Sequence, residues 1–465
     1  MAPQDSTDRL GTAPIGRLLF EFSLPAIAAM VIYSLYNIID TAMLGWFVGP
    51  NGVAIGTLTM PVMTVGMAFS MLVGQGGTAL SAIQLGEGST KHVERTLGNS
   101  TMLMILVAAI VGICGFLFID PILVFIGTTA ELWDQTKAFV QILCIFYVCL
   151  ALGFGLNNFL RTAGKPRLAL AATVFGVAMC AVLNLLFVGA WGWGVAGSAF
   201  ATVIGEGFAA VPVIWYFTCC KSAPFKLRLS CFKPHGKTIK KILALGLASF
   251  ALQMGATFVN LIFNHVIALW GSTDPLGVEG CLASIGVSIK VVQLICSVCI
   301  GIAMGMQPII GFNFGARRWR RVLKTLKYGC IAGAVFAGLS QLLVHIFPHQ
   351  IITAFGVSGN LEEMAIWALF IDTIFFPLVG FQIVAGSYFQ SSGQPLKAAI
   401  IELLRQVIFL GPLYALLPMI ASWFAQQPVT MIIVAIPVSD ILSVLVTTAL
   451  IIVEVRTLKK LIVER

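Results

Sequence analysis

Charged side chains are scarce in this sequence, and their scarcity indicates its class. Only 10% of the 465 residues are Asp, Glu, Lys or Arg, whereas 58% are hydrophobic and the mean hydropathy is +0.97. A soluble domain of this length could not bury so much apolar surface. Most soluble enzymes and nucleic-acid-binding proteins are therefore excluded, and membrane lipid is expected to surround much of the chain.

The sequence also lacks the motifs that carry catalysis. It has no glycine-rich phosphate-binding loop followed by lysine, which disfavours an ATP-driven pump. The five histidines are scattered without metal-ligand spacing. Cys296 and Cys299 lie in an apolar run, which favours packing over a redox or zinc site. We therefore expect no enzyme activity, no metal, no cofactor and no nucleic-acid partner.

Apolar runs, in contrast, are abundant, and each of twelve is long enough to cross a hydrocarbon core of about 30 Å. In lipid each run must be a helix, because unpaired backbone groups are too costly there. The first run follows a polar tail and is too long for a signal-peptide core, so it is interpreted as a permanent span. The sequence thus predicts an all-α polytopic membrane protein with twelve transmembrane helices. The runs lie near residues 16–46, 53–83, 96–119, 135–160, 168–190, 194–218, 240–270, 278–310, 322–346, 361–389, 396–419 and 428–454.

Basic side chains occupy alternate loops between these runs. All but Lys137 and Lys290 of the 28 lysines and arginines are expected on one side, with the largest groups at 221–241 and 317–327. The opposite loops carry mainly acidic residues. By the positive-inside rule, both termini are predicted to be cytoplasmic in a plasma (inner) membrane. The net charge of +9 is therefore interpreted as a topology signal, not as a nucleic-acid footprint.

The chain repeats itself with a shift of 229 residues. This shift aligns "RTAGKP" at 161–166 with "QSSGQP" at 390–395, and also Gly76 with Gly305 and Gly86 with Gly315. Such agreement indicates a duplication. Six spans per half would give both halves one orientation, related by a pseudo-two-fold axis along the membrane normal with a cavity between them, as in secondary transporters. The predicted units are an N-terminal six-helix bundle at 1–220, a basic cytoplasmic linker at 221–241 and a C-terminal six-helix bundle at 242–465.

Asp40 is an acidic residue inside the first predicted span. It shares a helical face with Tyr33, Tyr36, Asn37 and Thr41, through steps of three and four residues. An acid in a span is costly to ionise and usually faces a cavity, so its default interpretation is functional. The alternative is an acid that only ties helices together through hydrogen bonds. The favoured hypothesis is that Asp40 loads and unloads a coupling ion.

A second polar stripe lies in the seventh predicted span. Gln253, Thr257, Asn260 and Asn264 follow one another at steps of four, three and four residues. Such side chains either line a wet cavity or join neighbouring helices, and the pattern alone leaves both open.

Four further ionisable residues within the predicted spans are considered for a role: Glu206, Lys290, Asp372 and Asp440. Asp372 is the second candidate for ion coupling, and Glu206 could assist Asp40. Lys290 could neutralise one of the acids. Asp440 follows Pro437, where a broken backbone hydrogen bond could offer it a local partner. The sequence assigns no role to Lys290 or Asp440.

Four segments, in the right order on twelve spans, resemble those of the multidrug and toxic compound extrusion (MATE) family, and the resemblance covers nearly the whole chain. They are "GWGVAGSAFAT" at 192–202, "GMQPIIGFNFGARRWRRV" at 305–322, "YFQSSGQP" at 388–395 and "LLRQVIFLGPLYALLP" at 403–418. The resemblance implies export of bulky, often cationic and amphipathic compounds in exchange for H⁺ or Na⁺.

The resemblance also implies a site in the N-terminal half. Asp40 matches an acid that many members carry in span 1, including the DinF-like branch, and the matching polar positions of spans 4, 5 and 6 are Asn157, Asn184 and Thr202. The second acid that the family often has in span 5 is missing, because Leu185 follows Asn184 here. A glutamate that some Na⁺-coupled members carry in span 7 also has no counterpart. These departures favour H⁺ over Na⁺.

We therefore predict a proton-coupled multidrug antiporter that works by alternating access, acts on small drug-like molecules and is a monomer. The alternatives are a lipid-linked-sugar flippase of the same superfamily and a non-transporting receptor or scaffold. A flippase would need a cationic cavity, and many flippases have fourteen spans. The short loops and the duplication disfavour a receptor or scaffold.

Overall fold

The computed structural model of the protein describes residues 9–354, 359–423 and 428–464. The outer ends of the two predicted bundles, residues 1–8 and 465, lie outside this range. Every regular element within it is a helix. Ten of these helices are long and apolar enough to cross a membrane, and two bent helix pairs pass the same test as single spans. This confirms the all-α membrane class with twelve spans.

The first six spans form the N-terminal half. The fourth is a pair of helices that meet at Phe146 with a bend of 56°, and the fifth ends in a π-helical segment, Leu185–Ala190. The spans are α1 (Ile15–Phe47), α2 (Pro50–Gly86), α3 (Thr90–Leu117), α4 (Trp133–Ile145 with Tyr147–Thr162), α5 (Pro166–Asn184 with the π segment) and α6 (Gly194–Cys219).

The other six spans form the C-terminal half. The tenth is again a bent pair, with an angle of 51°, and the eleventh contains a π-helical segment, Leu404–Leu410. The spans are α7 (Gly236–Trp270), α8 (Gly277–Gly315), α9 (Trp319–Ile346), α10 (Asn360–Thr373 with Phe376–Ser391), α11 (Pro395–Leu403 and Gly411–Trp423 around the π segment) and α12 (Pro428–Val463).

The two halves repeat backbone features at the predicted shift. The shift of 229 carries α3 onto α9 and the break at Phe146 onto the break at Phe375. In α10, Pro377 cannot donate a backbone hydrogen bond, which helps to break the helix there. Hydropathy did not reveal either bend, because the apolar runs continue through both breaks.

The linker between the halves is held against α3 by Glu94, which accepts the N–H of Lys226 (3.0 Å), and by Asn99. Asn99, which is buried, donates to the backbone carbonyls of Cys231 (3.0 Å) and Lys233 (3.2 Å) and accepts the N–H of His235 (2.9 Å). The next residue, Gly236, begins α7. Residues 236–241 of the predicted linker are therefore helical, because these contacts end the extended chain at His235.

The halves touch at the end of the molecule that carries the basic loops, which we call the basic end. The contact extends to the middle of the spans, where Phe69 of α2 packs on Phe250 of α7, with ring centroids 5.1 Å apart. Gly76 lies against the carbonyl of Ile242, and Gly305 of α8 lies against Ser23 of α1. A Cβ at either glycine would meet the neighbouring helix, so backbone contact requires glycine there. This explains the glycines that the repeat aligns.

Toward the opposite end the facing surfaces of the halves become exposed. On α8, the face that packs on α1 at Gly301 continues to Gln293 and Lys290, both exposed. On α7, the face that packs on α2 at Phe250 continues to Asn260 and Asn264, also exposed. Residues three and four apart share a helix face, so these surfaces point toward the other half. From this exposure we infer an opening between α1, α2, α7 and α8, which we call the cleft.

Candidate functional site

Asp40 lies in the middle of the N-terminal half and is held by neutral groups. Its Oδ1 atom accepts hydrogen bonds from Asn184 Nδ2 (2.7 Å), Ser198 Oγ (3.3 Å) and the Tyr36 hydroxyl (3.4 Å). Among the described residues, no Lys, Arg or His forms an ion pair with this carboxylate. Protonation or deprotonation of Asp40 would therefore break no salt bridge.

Asn184 is positioned by the irregular backbone of α5. It is the last α-helical residue before the π segment, a type of irregularity that is frequent at functional sites. Its side chain is 1% exposed, and its Oδ1 atom has no partner in the described part of the chain. Ser198 is a contact that sequence reasoning missed. The signal was available, since Ser198 precedes the predicted Thr202 by one helical turn on α6.

The polar residues predicted to share one face of α1 point to two different places, the interior of the N-terminal half and the cleft. Tyr36 is buried and lies next to Thr202 in the N-terminal half. Asn37 and Thr41 turn toward the cleft, where they bond to carbonyls of their own helix, those of Tyr33 (2.9 Å) and Asn37 (2.9 Å). The Asp40 site thus gathers Tyr36, Asn184 and Thr202 but not Asn37.

A second polar cavity lies beside the Asp40 site. It is lined by Tyr33, Asn157, Arg161 and Glu206, and Met304 of the other half also borders it. Asn157 donates to Thr173 Oγ1 (2.7 Å), while the oxygen of the Asn157 amide and Nε of Arg161 have no partner among the described residues. The predicted site residues Asn157 and Glu206 therefore belong to this cavity, whereas Asn184 contacts Asp40 directly.

Asp372 lies in the C-terminal half, immediately before the break in α10. Its Oδ2 atom accepts a hydrogen bond of 2.5 Å from Ser288 Oγ of α8, and its Oδ1 atom has no partner in the residues that the structure describes. The side chain is 4% exposed. Asp372 is thus enclosed by protein, with one unsatisfied oxygen.

Asp440 has a charged partner that the sequence did not predict. Arg405 Nε donates to Asp440 Oδ1 at 2.7 Å, and Ser439 Oγ donates to the Arg405 carbonyl at 2.7 Å. Counting Arg405 as a loop base was wrong, because α11 begins at Pro395 and places Arg405 roughly 15 Å along the span. Lys290 neutralises none of the described acids. It is exposed, without an ion pair or hydrogen bond in the described chain.

The polar stripe on α7 lines the cleft. Asn260 Nδ2 donates to the Ala256 carbonyl (2.9 Å) and Thr257 Oγ1 to the Gln253 carbonyl (3.0 Å), so both bonds stay within α7. Asn260 and Asn264 are exposed, and Gln253 and Thr257 are half-buried. Of the two interpretations left open by the sequence, the structure favours a cavity wall over a link between helices. Within the described residues no group of three or more His, Cys, Asp or Glu side chains could hold a metal.

Comparisons with known proteins agree with this architecture. The family model described as MatE matches residues 25–186 and 249–414, one block in each half. The multidrug export protein MepA of Staphylococcus aureus strain MSSA476 is 23% identical over 403 residues, which cover 86% of this chain and 87% of MepA. MepA of Staphylococcus haemolyticus strain JCSC1435 is 22% identical over 402 residues, with the same coverage. A crystal structure of MATE in complex with MaL6 shares the fold, with a TM-score of 0.89 at 20% identity over 97% of this chain and 99% of that one.

Proposed function

Because the chain belongs to the MatE family of multidrug and toxic compound extrusion transporters, we propose that it is a multidrug efflux antiporter driven by protons. Members of this family are transporters, not enzymes. The family and its relatives named for multidrug export favour this function over a flippase, a receptor or a scaffold. The DinF-like branch suggested by Asp40 and the action as a monomer remain predictions.

The observation that supports proton coupling is the neutral surroundings of Asp40. Three hydrogen-bond donors converge on its Oδ1 atom, from Asn184, Ser198 and Tyr36. A sodium ion at that oxygen would meet these hydrogens and would need several other oxygen ligands, whereas a proton needs only one oxygen. Protonation removes the negative charge that orients the donors, so the site loosens. In this way proton binding and the binding of a cationic drug would compete.

Alternating access would arise from rocking of the two halves about their contacts. The halves touch at the basic end and separate toward the other end. By the positive-inside rule the basic end is cytoplasmic, together with both termini, so this conformation would face outward across the plasma membrane. The bends in α4 and α10 offer places where the backbone can adjust during the motion.

The proton gradient is sufficient for such an exchange. A membrane potential of about 100 mV contributes about 2.3 kcal/mol per charge, and half a pH unit adds about 0.7 kcal/mol. The total of about 3 kcal/mol supports a gradient of about 150-fold for a neutral substrate exchanged with one proton.

The test is ethidium transport in inside-out vesicles under a proton gradient or a sodium gradient, imposed separately. We expect proton-driven transport in the unmodified protein and its loss in Asp40→Asn, because the amide cannot exchange the coupling proton. Asp134→Asn is the matched control, since Asp134 is an exposed acid in the first turn of α4. If transport survives in Asp40→Asn, the coupling residue must instead be Asp372 or Glu206. Transport driven only by sodium would refute proton coupling.

A further inference from the structure

We infer that Lys290 forms a binding site in the cleft for an anionic group, so that amphipathic zwitterions bind in preference to simple cations. This inference rests on the proposed function, because it names the class of substrate that the transporter would take. It concerns a residue that neither half uses to neutralise an acid.

The first step is the direction in which Lys290 points. At the basic end of α8, Gly301 packs against Ile27 of α1, and Met304 borders the cavity of the N-terminal half. Gln293 and Lys290 lie on the same helix face by steps of three and four residues. Lys290 therefore faces the N-terminal half, roughly 16 Å farther along the helix than Gly301. Gly286 is one turn beyond it, and a Cβ there would meet no atom within 4 Å.

The second step is the cost of a charge at this depth. Lys290 is roughly 20 Å from the start of α8 at Gly277, well inside the membrane span. A lysine at such depth is costly unless it is paired or faces water. Arg161 and Arg405, which also lie within the spans, bond to Asn158 and Asp440. Lys290 has no such partner within the described chain, so its charge is available to a ligand.

The third step is the chemistry of the surrounding walls. The amide N–H groups of Asn260 on α7 and Asn37 on α1 bond to carbonyls of their own helices. Their amide oxygens remain as acceptors for a ligand N–H or a cationic group. Ile38 on α1 is 51% exposed and adds apolar surface. Asp40 is turned into the N-terminal half and bonded there, so it does not neutralise Lys290 in this conformation.

One fixed positive charge, amide acceptors and an apolar wall fit a ligand with complementary groups. Such a ligand carries a carboxylate or another anionic group, an N–H or cationic nitrogen, and an apolar body. A purely cationic ligand such as ethidium would still bind, but more weakly, because it gains nothing from Lys290, whereas a zwitterion would pair its anionic group with the ammonium.

The experiment compares two dyes that differ only at the carboxylate. Rhodamine B is a zwitterion, and its ethyl ester is a cation of nearly the same shape. Binding to the purified full chain in lipid nanodiscs is followed by fluorescence polarisation. We expect the unmodified protein to bind the zwitterion about tenfold more tightly than the ester, which corresponds to about 1.4 kcal/mol. Lys290→Gln should remove this preference, and Lys290→Arg should retain it.

Gln293→Ala is the matched control, because it alters the same face of α8 without a change of charge. Unchanged elution in size-exclusion chromatography shows that each variant is folded. A preference that survives Lys290→Gln, an equal loss of both dyes, or no binding of either dye to the unmodified protein would overturn the proposal. Failure of the proposed function looks different: the preference would persist in binding, while neither gradient would drive transport in vesicles.

Discussion

The two halves share their backbone irregularities but differ in how they hold their acids. The break at Phe146 recurs at Phe375, and a π segment occurs in both α5 and α11. The two breaks are related by the shift of 229. The two π segments are not, because that shift would carry Leu185–Ala190 onto residues 414–419, which are α-helical.

Among the described residues, Asp40 of the first half is bonded to amide and hydroxyl groups, and Asp372 of the second half is bonded to a hydroxyl group. The second half also contains Asp440, which is paired with Arg405. The halves therefore differ in charge: the second half contains an ion pair within its spans, whereas Asp40 has no basic partner among the described residues.

The largest expected effect comes from breaking the ion pair of the second half. Arg405→Gln would leave Asp440, which is 2% exposed, as an uncompensated buried charge. Removal of one partner of a buried ion pair costs about 3–5 kcal/mol. We therefore expect a large loss of stability, measured by thermal unfolding in nanodiscs, and little protein in the membrane.

The double variant Arg405→Gln with Asp440→Asn distinguishes charge from packing. Two neutral amides avoid the unpaired charge, so much of the lost stability should return. If the single variant is as stable as the unmodified protein, Arg405 does not neutralise Asp440, and the contrast between the halves fails.

A smaller loss of stability is expected when Asp40 loses one hydrogen bond from a neutral donor. Asn184→Ala removes the shortest bond to the carboxylate, and hydrogen bonds to charged groups contribute about 1.5–3 kcal/mol. Ser288→Ala is the matched change in the second half, because it removes the bond to Asp372. We expect similar losses of stability in both. Proton-driven ethidium transport should fall only in Asn184→Ala, and a fall of the same size in Ser288→Ala would show that both halves couple.

Residue spacing was sufficient to predict the spans, the repeat and Asp40, because apolar length, glycine recurrence and an acid in lipid are local signals. It could not predict the bend at Phe146, since the apolar run there is continuous. It also missed the Arg405–Asp440 pair and the bond from Ser198. Their partners lie on different helices, and only the packing of α11 on α12 and of α6 on α1 brings them together.

The sequence also could not predict which cavity each polar residue lines. Asn157 and Asn184 both match family positions, yet only Asn184 reaches Asp40. Which side of α1 each polar residue faces depends on how the halves separate. For the same reason the stripe on α7 had two interpretations until its exposure was known.

The smallest expected effect tests the feature that both halves share. Gly76 of the first half packs on α7 and its repeat partner Gly305 packs on α1. Overpacking costs about 1–3 kcal/mol, while replacing glycine by alanine in a helix gains about 1 kcal/mol, so the net loss should be about 1 kcal/mol. Gly76→Ala and Gly305→Ala should therefore destabilise the protein to the same extent in thermal unfolding. Gly286→Ala, where a Cβ meets no neighbour, should cause no loss. Unequal losses at the two aligned glycines would mean that the contact between the halves is not symmetric, and that the divergence of the halves extends from their charges to their backbones.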